Sequence, residues 1–213
     1  GMCLFRLDQP AAAQEWFERA VAEKEQGDVH GRVDHASLGR SLHQVGICLS
    51  RPGQTAAAQE WFERAVAEME RGDVHGRVNH ESLGRSLHQV GICLSRLDQP
   101  AAAQGWFERA VAEKEQGDVH GRVDHESLGV SLQRVGICLF DLGQSAAAQD
   151  WFERAVAEKE QGDVHGRVDH QSLAISLESV GECLSELDRP DEAQVWFARA
   201  ETEAAIPNEP GVG

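Results

Sequence analysis

The chain has 213 residues, 41% of them hydrophobic and 26% charged, and carries a net charge of −16. That hydrophobic share is ordinary for a folded soluble protein, while the charge repels a phosphate backbone and argues against nucleic acid as a partner. No run of about eighteen apolar residues occurs, so no helix is expected to span a membrane and no membrane partner is expected. No basic segment followed by an apolar one opens the chain, which points to the cytoplasm.

In chain order, Gly1 falls in register with Gly46, so the first residues are expected to be the end of a helix, cut to roughly two turns. The next segment, "AAAQEWFERAVAEKEQG" from Ala11, spaces Ala13, Phe17, Ala20 and Val21 along one helical face, with Trp16 expected to pack beside them. Glu15 and Arg19 lie one turn apart on the solvent side, and Gly27 is placed to stop the helix. The loop "GDVHGRVDH" follows, and its Asp34 can cap the next helix by accepting free N–H groups of the first turn. In "HASLGRSLHQVGICLSR", Leu38, Leu42, Val45 and Leu49 again make one helical face. A tight turn, "RPGQ" from Arg51, leads into a near-copy of what came before.

The copies return every 45 residues. The columns Trp16/Trp61/Trp106/Trp151/Trp196, Phe17/Phe62/Phe107/Phe152/Phe197, Cys3/Cys48/Cys93/Cys138/Cys183 and Gly46/Gly91/Gly136/Gly181 all keep that period. Strand alternation is absent, so the period implies a helical solenoid. Each unit is a helix A, a turn, a helix B and a loop. Residues 1–34 are read as a partial repeat, 35–79, 80–124 and 125–169 as full repeats, 170–203 as a C-terminal repeat and 204–213 as a disordered tail, all in one solenoid domain.

Leu42, Val45-Gly46, Leu49, Gly53, Ala58, Phe62 and Ala65 resemble the pattern of the tetratricopeptide repeat (TPR) family. Leu177, Val180-Gly181, Leu184, Ala193, Phe197 and Ala200 repeat it near the C-terminus. In that pattern Gly46 and Ala58 are small where helices A and B cross closely, and Phe62 fills the space beside them. The period exceeds the family's usual length and the helix-ending Pro is missing. The longer period, with the Asp-His before helix A, is closer to the long repeats of kinesin light chains. The resemblance implies an all-α, right-handed superhelix with helices A lining its concave side, and a role in binding a peptide or protein.

Three chemical readings compete with that one. His30 and His35, with Asp28 and Asp34 nearby, could hold a metal through imidazole and carboxylate ligands. Asn79 replaces the counterpart of Asp34 in the next copy and suits a helix cap equally well, so the loop is read as structural, with no metal and no cofactor expected. The cysteines have no CxxC spacing. Equivalent residues one helix spacing apart, roughly 8–10 Å, exceed the reach of a disulfide, so the column is read as small core residues. Catalysis is not expected, because every unit carries the same Ser, His, Asp and Cys and no asymmetric assembly or phosphate loop stands out.

Helix B barely changes between copies, whereas helix A varies along a stripe distinct from its core face. This stripe holds Arg40, His43, Ile47 and Arg51 in the first full copy and Arg85, His88, Ile92 and Arg96 in the second. Arg134, Ile137 and Phe140 belong to the third, and Glu178, Glu182 and Glu186 to the last. The expected function is a non-catalytic groove that takes an acidic and apolar peptide or protein segment, as the scaffold or sensor part of a larger protein. The alternative is self-assembly through the terminal repeats, with the basic start of one molecule attracting the acidic end of another.

Overall fold

The computed structural model describes residues 10–51 and 53–207. The expected N-terminal half-helix, Cys3 and the end of the expected tail lie outside these residues. Among the described residues there are nine helices and no strand. They are α1 (Pro10–Glu25), α2 (His35–Leu49), α3 (Thr55–Met69), α4 (His80–Arg96), α5 (Pro100–Lys114), α6 (His125–Asp141), α7 (Ser145–Lys159), α8 (His170–Glu186) and α9 (Pro190–Ala204). The chain is thus an all-α helical repeat protein. None of these helices is long and apolar enough to cross a membrane. The chain divides into two compact units between Gln99 and Pro100.

In the first unit α2 packs on α1 and α3, and α4 packs on α3. Leu38, Leu42, Val45 and Leu49 of α2 are all buried, as the spacing requires, and so are Ala58, Phe62, Ala65 and Val66 of α3. Each large apolar side chain withdrawn from water in this way contributes about 2 kcal/mol. In the second unit α6 packs on α5 and α7, and α8 packs on α7 and α9, with the same columns buried except on α9, where Phe197 is half-buried and Glu201 exposed. Helices A and B of a hairpin approach closely at the glycine column. A Cβ placed on Gly136 would lie 2.6 Å from Phe152 Cε1, and one on Gly46 would lie 2.6 Å from Phe62 Cε1.

The turns share a left-handed residue, though the first ends its helix A earlier, at Leu49, and bonds the Gln54 N–H to the Arg51 carbonyl (3.1 Å). Gly53 and Gly143 have φ of 86° and 72°, and Asp98 and Asp188 take the same left-handed place at 59° and 56°. Asp tolerates this region better than most side chains, so the column accepts either residue. The Gln144 N–H then donates to the Leu139 carbonyl (2.9 Å) and Arg189 N–H to the Leu184 carbonyl (2.9 Å), which closes the helix end.

The tryptophan column corrects one expectation. Trp16 is 52% exposed and does not pack in the core. Its ring carries the Arg19 guanidinium at 4.7 Å, and Trp61 and Trp151 carry Arg64 and Arg154 at 4.5 and 4.6 Å. The arginine one turn along covers the indole, so the apolar ring needs no core. Arg64 and Arg154 also reach back to Glu25 (3.3 Å) at the end of the preceding helix B and to Glu115 (3.1 Å) just past it.

Gly136→Ala should lower unfolding stability by about 1–3 kcal/mol, because Phe152 must give way. Gly105→Ala, on α5 with open space around it, should raise stability by about 0.5–1 kcal/mol through helix propensity alone. Urea denaturation of the two variants separates these opposite signs.

Candidate functional site

The His-rich loop is a fastening. Asp28 Oδ1 accepts from the backbone N–H of His30 (2.8 Å) and Arg32 (2.9 Å), while Oδ2 accepts from Arg32 Nε at 2.9 Å. Asp73, Asp118 and Asp163 repeat this, and these bonds from Arg77, Arg122 and Arg167 hold the three carboxyls at about 2. Asp34 accepts from Ser37 N–H (2.9 Å) and Asn79 from Ser82 N–H (2.8 Å), as helix caps. The neighbouring histidine has a separate task. His35 Nδ1 donates to Glu68 Oε2 (2.5 Å), and His125 and His170 reach Glu158 (2.6 Å) and Glu203 (2.8 Å). Each pair joins the start of helix A to the end of its own helix B. Among the described residues no three His, Cys, Asp or Glu gather in a metal-ligating group.

In the first unit Arg40, His43 and Arg85 come together. With Gln44, Met69 and Ser82 they line a cavity of about 310 Å³ between α2, the end of α3 and α4. Arg40 is exposed and makes no ion pair among the described residues. Arg85 is exposed too, with its Nε donating to Glu81 Oε1 at 2.9 Å. His43 lies against the Phe62 ring, centroids 5.2 Å apart, and its Nδ1 is 2.9 Å from Ser86 Oγ. Burial first, and then the Arg85 guanidinium, push His43 down to about 4 from its ordinary 6.5. His43 is therefore neutral at pH 7, and the positive charge of this site comes from the arginines.

The other expected stripe residues do not join this cavity. Ile47 and Ile92 are half-buried, Arg51 and Arg96 are exposed, and His88 is buried, so it offers no open surface. In the second unit Arg134 is exposed and Ile137 and Phe140 are half-buried on α6, while Glu178, Glu182 and Glu186 are exposed on α8.

The sequence reading missed a column of lysines. Lys24 Nζ donates to the Ser37 carbonyl (2.9 Å) and Ser41 Oγ (2.7 Å). Lys114 does the same to the Ser127 carbonyl (2.8 Å) and Ser131 Oγ (2.9 Å). Lys159, fully buried, donates to the Ser172 carbonyl (2.8 Å), Ser176 Oγ (2.9 Å) and Gln133 Oε1 (2.6 Å), which uses all three of its protons. Burial pushes Lys159 down to about 8, against the opposing pull of Glu126 and Asp169. Glu126 is pushed upward by burial; it bonds to Ser172 and leaves Oε2 without a hydrogen bond. Met69 breaks this column. The signal was one of three changes that set the copy at Trp61 apart from the one at Trp16, but it lies on the otherwise constant helix B.

Two outcomes follow. His43 has a depressed folded-state pKa, so its contribution to stability is complete above the unfolded value near 6.5 and is lost as pH falls toward 4. The loss should reach about 3 kcal/mol. His43→Gln, which installs the residue found at Gln133, should flatten that part of the stability–pH curve measured by chemical denaturation. For the buried Lys159 and the half-buried Glu126 near it, Glu126→Ala and Lys159→Met should each destabilise. Their double variant should lose at least about 1 kcal/mol less than the sum, by a double-mutant cycle.

No protein-family model matches the chain, and no curated protein matches it. Among solved structures it is similar to BtubC (BKLC) from P. vanneervenii, at 15% identity and a TM-score of 0.78, over 99% of this chain and 81% of that one. It is similar also to a putative kinesin light chain of Podosopora anserina with nearly identical TPR-like repeats, at 21% identity and a TM-score of 0.67, over 96% and 91% of the two chains. YrrB, a TPR protein with an unusual peptide-binding site, matches at 16% identity and a TM-score of 0.61, over 94% and 81%. These likenesses show the fold, which is that of the TPR-like helical repeats.

Proposed function

We propose that this TPR-like chain is a non-catalytic interaction module, and that its first unit takes a peptide or protein segment bearing a carboxylate. The observation that carries the reading is the cavity lined by Arg40, His43 and Arg85. On a chain of net charge −16, two guanidiniums at one opening make a local positive field, and the planar fork of each suits a carboxylate. His43 is neutral there and offers a hydrogen bond without adding charge. Ile47 and Ile92, half-buried along the same helices, supply apolar contact beside the charge. YrrB, whose fold is similar, is a peptide-binding TPR protein, which supports the class of partner. The non-catalytic reading draws on the cysteines: Cys48, Cys93 and Cys183 are buried, and burial pushes their thiols up, away from the reactive thiolate.

The test is selection from a random peptide library displayed on phage. Peptides enriched in Glu or Asp are expected, and Arg40→Glu/Arg85→Glu/Arg96→Glu should weaken them by about a hundredfold or more. Enrichment of uncharged or basic peptides, or binding unchanged by the triple reversal, would sink the proposal. A second reading has one observation in its favour. Glu178, Glu182 and Glu186 are exposed on one helix, so the acidic group could come from another copy. Light scattering against concentration then shows mass rising above that of one chain.

A further inference from the structure

The cavity exists at a junction where two residues depart together from the repeat. Across the other described junctions a lysine at the end of helix B donates to a serine carbonyl and a serine hydroxyl of the next helix A, as Lys24, Lys114 and Lys159 do. Met69 takes the same path with its stem. A Cβ on Gly39 would meet Met69 Cγ at 2.5 Å, and a Cβ on Gly129 would meet Lys159 Cγ at 2.5 Å. Only the tips differ. The ammonium is gone, and Ser86 Oγ meets the Met69 sulfur at 3.4 Å in its place. The charge that would face that ammonium is gone as well, because the counterpart of Glu126 is Ala36, which is buried. A buried ammonium and the half-buried carboxylate near it have been exchanged for an apolar pair, which removes the desolvation cost of each.

What remains is a cavity whose wall includes Met69, itself 4% exposed, beside the polar Arg40, His43, Gln44, Ser82 and Arg85. Arg40 has no ion pair among the described residues, and the one ion pair of Arg85 uses its Nε. From the paired change we infer that Ala36 and Met69 convert this junction into a pocket for an aliphatic carboxylate, filled by a glutamate side chain of a partner, with its methylenes on Met69 and its carboxylate between Arg40 and Arg85. The inference rests on the reading of this cavity as a carboxylate site. It adds that Met69 is the specificity-determining residue, since methionine gives an apolar stem a soft, adaptable surface, and a lysine here would be committed to the serines.

The sequence contains two methionines, Met2 and Met69, so the methyl resonances of the full chain labelled with ¹³C-methyl methionine report the site directly. The probe is a blocked glutamate residue, N-acetyl-glutamate N-methylamide. Titration should shift one methyl resonance saturably, assigned to Met69 by its loss in Met69→Leu, and leave that of Met2 in place. The blocked glutamine analogue should bind about tenfold or more weakly. Ala36→Glu/Met69→Lys, which restores the pair found at Glu126 and Lys159, should keep the melting transition and lose probe binding seen by ligand-observed saturation transfer. An unmoved Met69 methyl, or equal binding of the glutamine analogue, overturns the inference, and needs no variant to fold. So does probe binding that survives in the folded double variant. Tighter binding of a blocked phosphoserine would overturn the choice of carboxylate. A Met69 shift that follows protein concentration alone would make the occupant a second copy. If these fail while the arginine reversals still abolish peptide capture, the carboxylate reading stands and the role given to Met69 falls.

Discussion

The close crossing of helices A and B at the glycine column is the contact on which the repeat depends. Gly46, Gly136 and Gly181 leave no room for a Cβ, because Phe62, Phe152 and Phe197 lie 2.5–2.6 Å from where one would be. That approach brings Leu42, Val45 and Ala58 within a single packed layer and excludes water from it. The rest follows as satisfaction of what the crossing leaves open. Asp34 caps the free N–H groups at one end of helix A, Gly53 turns the chain at the other, and His35 ties helix A back to Glu68.

The helices and their buried faces could be read from the sequence because they depend on local periodicity. Leu38, Leu42, Val45 and Leu49 needed only their spacing, and Asp34 and Gly27 needed only their places at the ends. Trp16 could not be placed that way. Its burial depends on whether a neighbouring arginine covers the ring, and at one turn away Arg19 does. Side-chain type suggested core where geometry gave a surface stack.

The site was legible in part for a similar reason. Variation along helix A pointed to Arg40, His43 and Arg85, which the fold brings together. His43 itself adds no charge there, because burial keeps it neutral at pH 7. Met69 and the lysines were hidden because they sit on helix B, at the end of a long constant stretch. Their partners, Ser37, Ser41, Ser172 and Ser176, lie 13 or 17 residues away, in the next helix. No window of one helix contains both halves of such a bond.

The Ala36–Met69 exchange bears on how repeats of one ancestry can diverge. If the ancestral junction held a glutamate and a lysine, neither substitution is neutral alone: each removes the opposite charge that offsets the desolvation of the other. A lineage accumulating single changes must cross a destabilised intermediate, or exchange a whole segment at once. Such junctions should therefore change both positions together, as the Gln171 and Ala204 found at the same places in the last copy also illustrate. A repeat array built on such junctions acquires new pockets in discrete steps, while its helices and turns stay as they were.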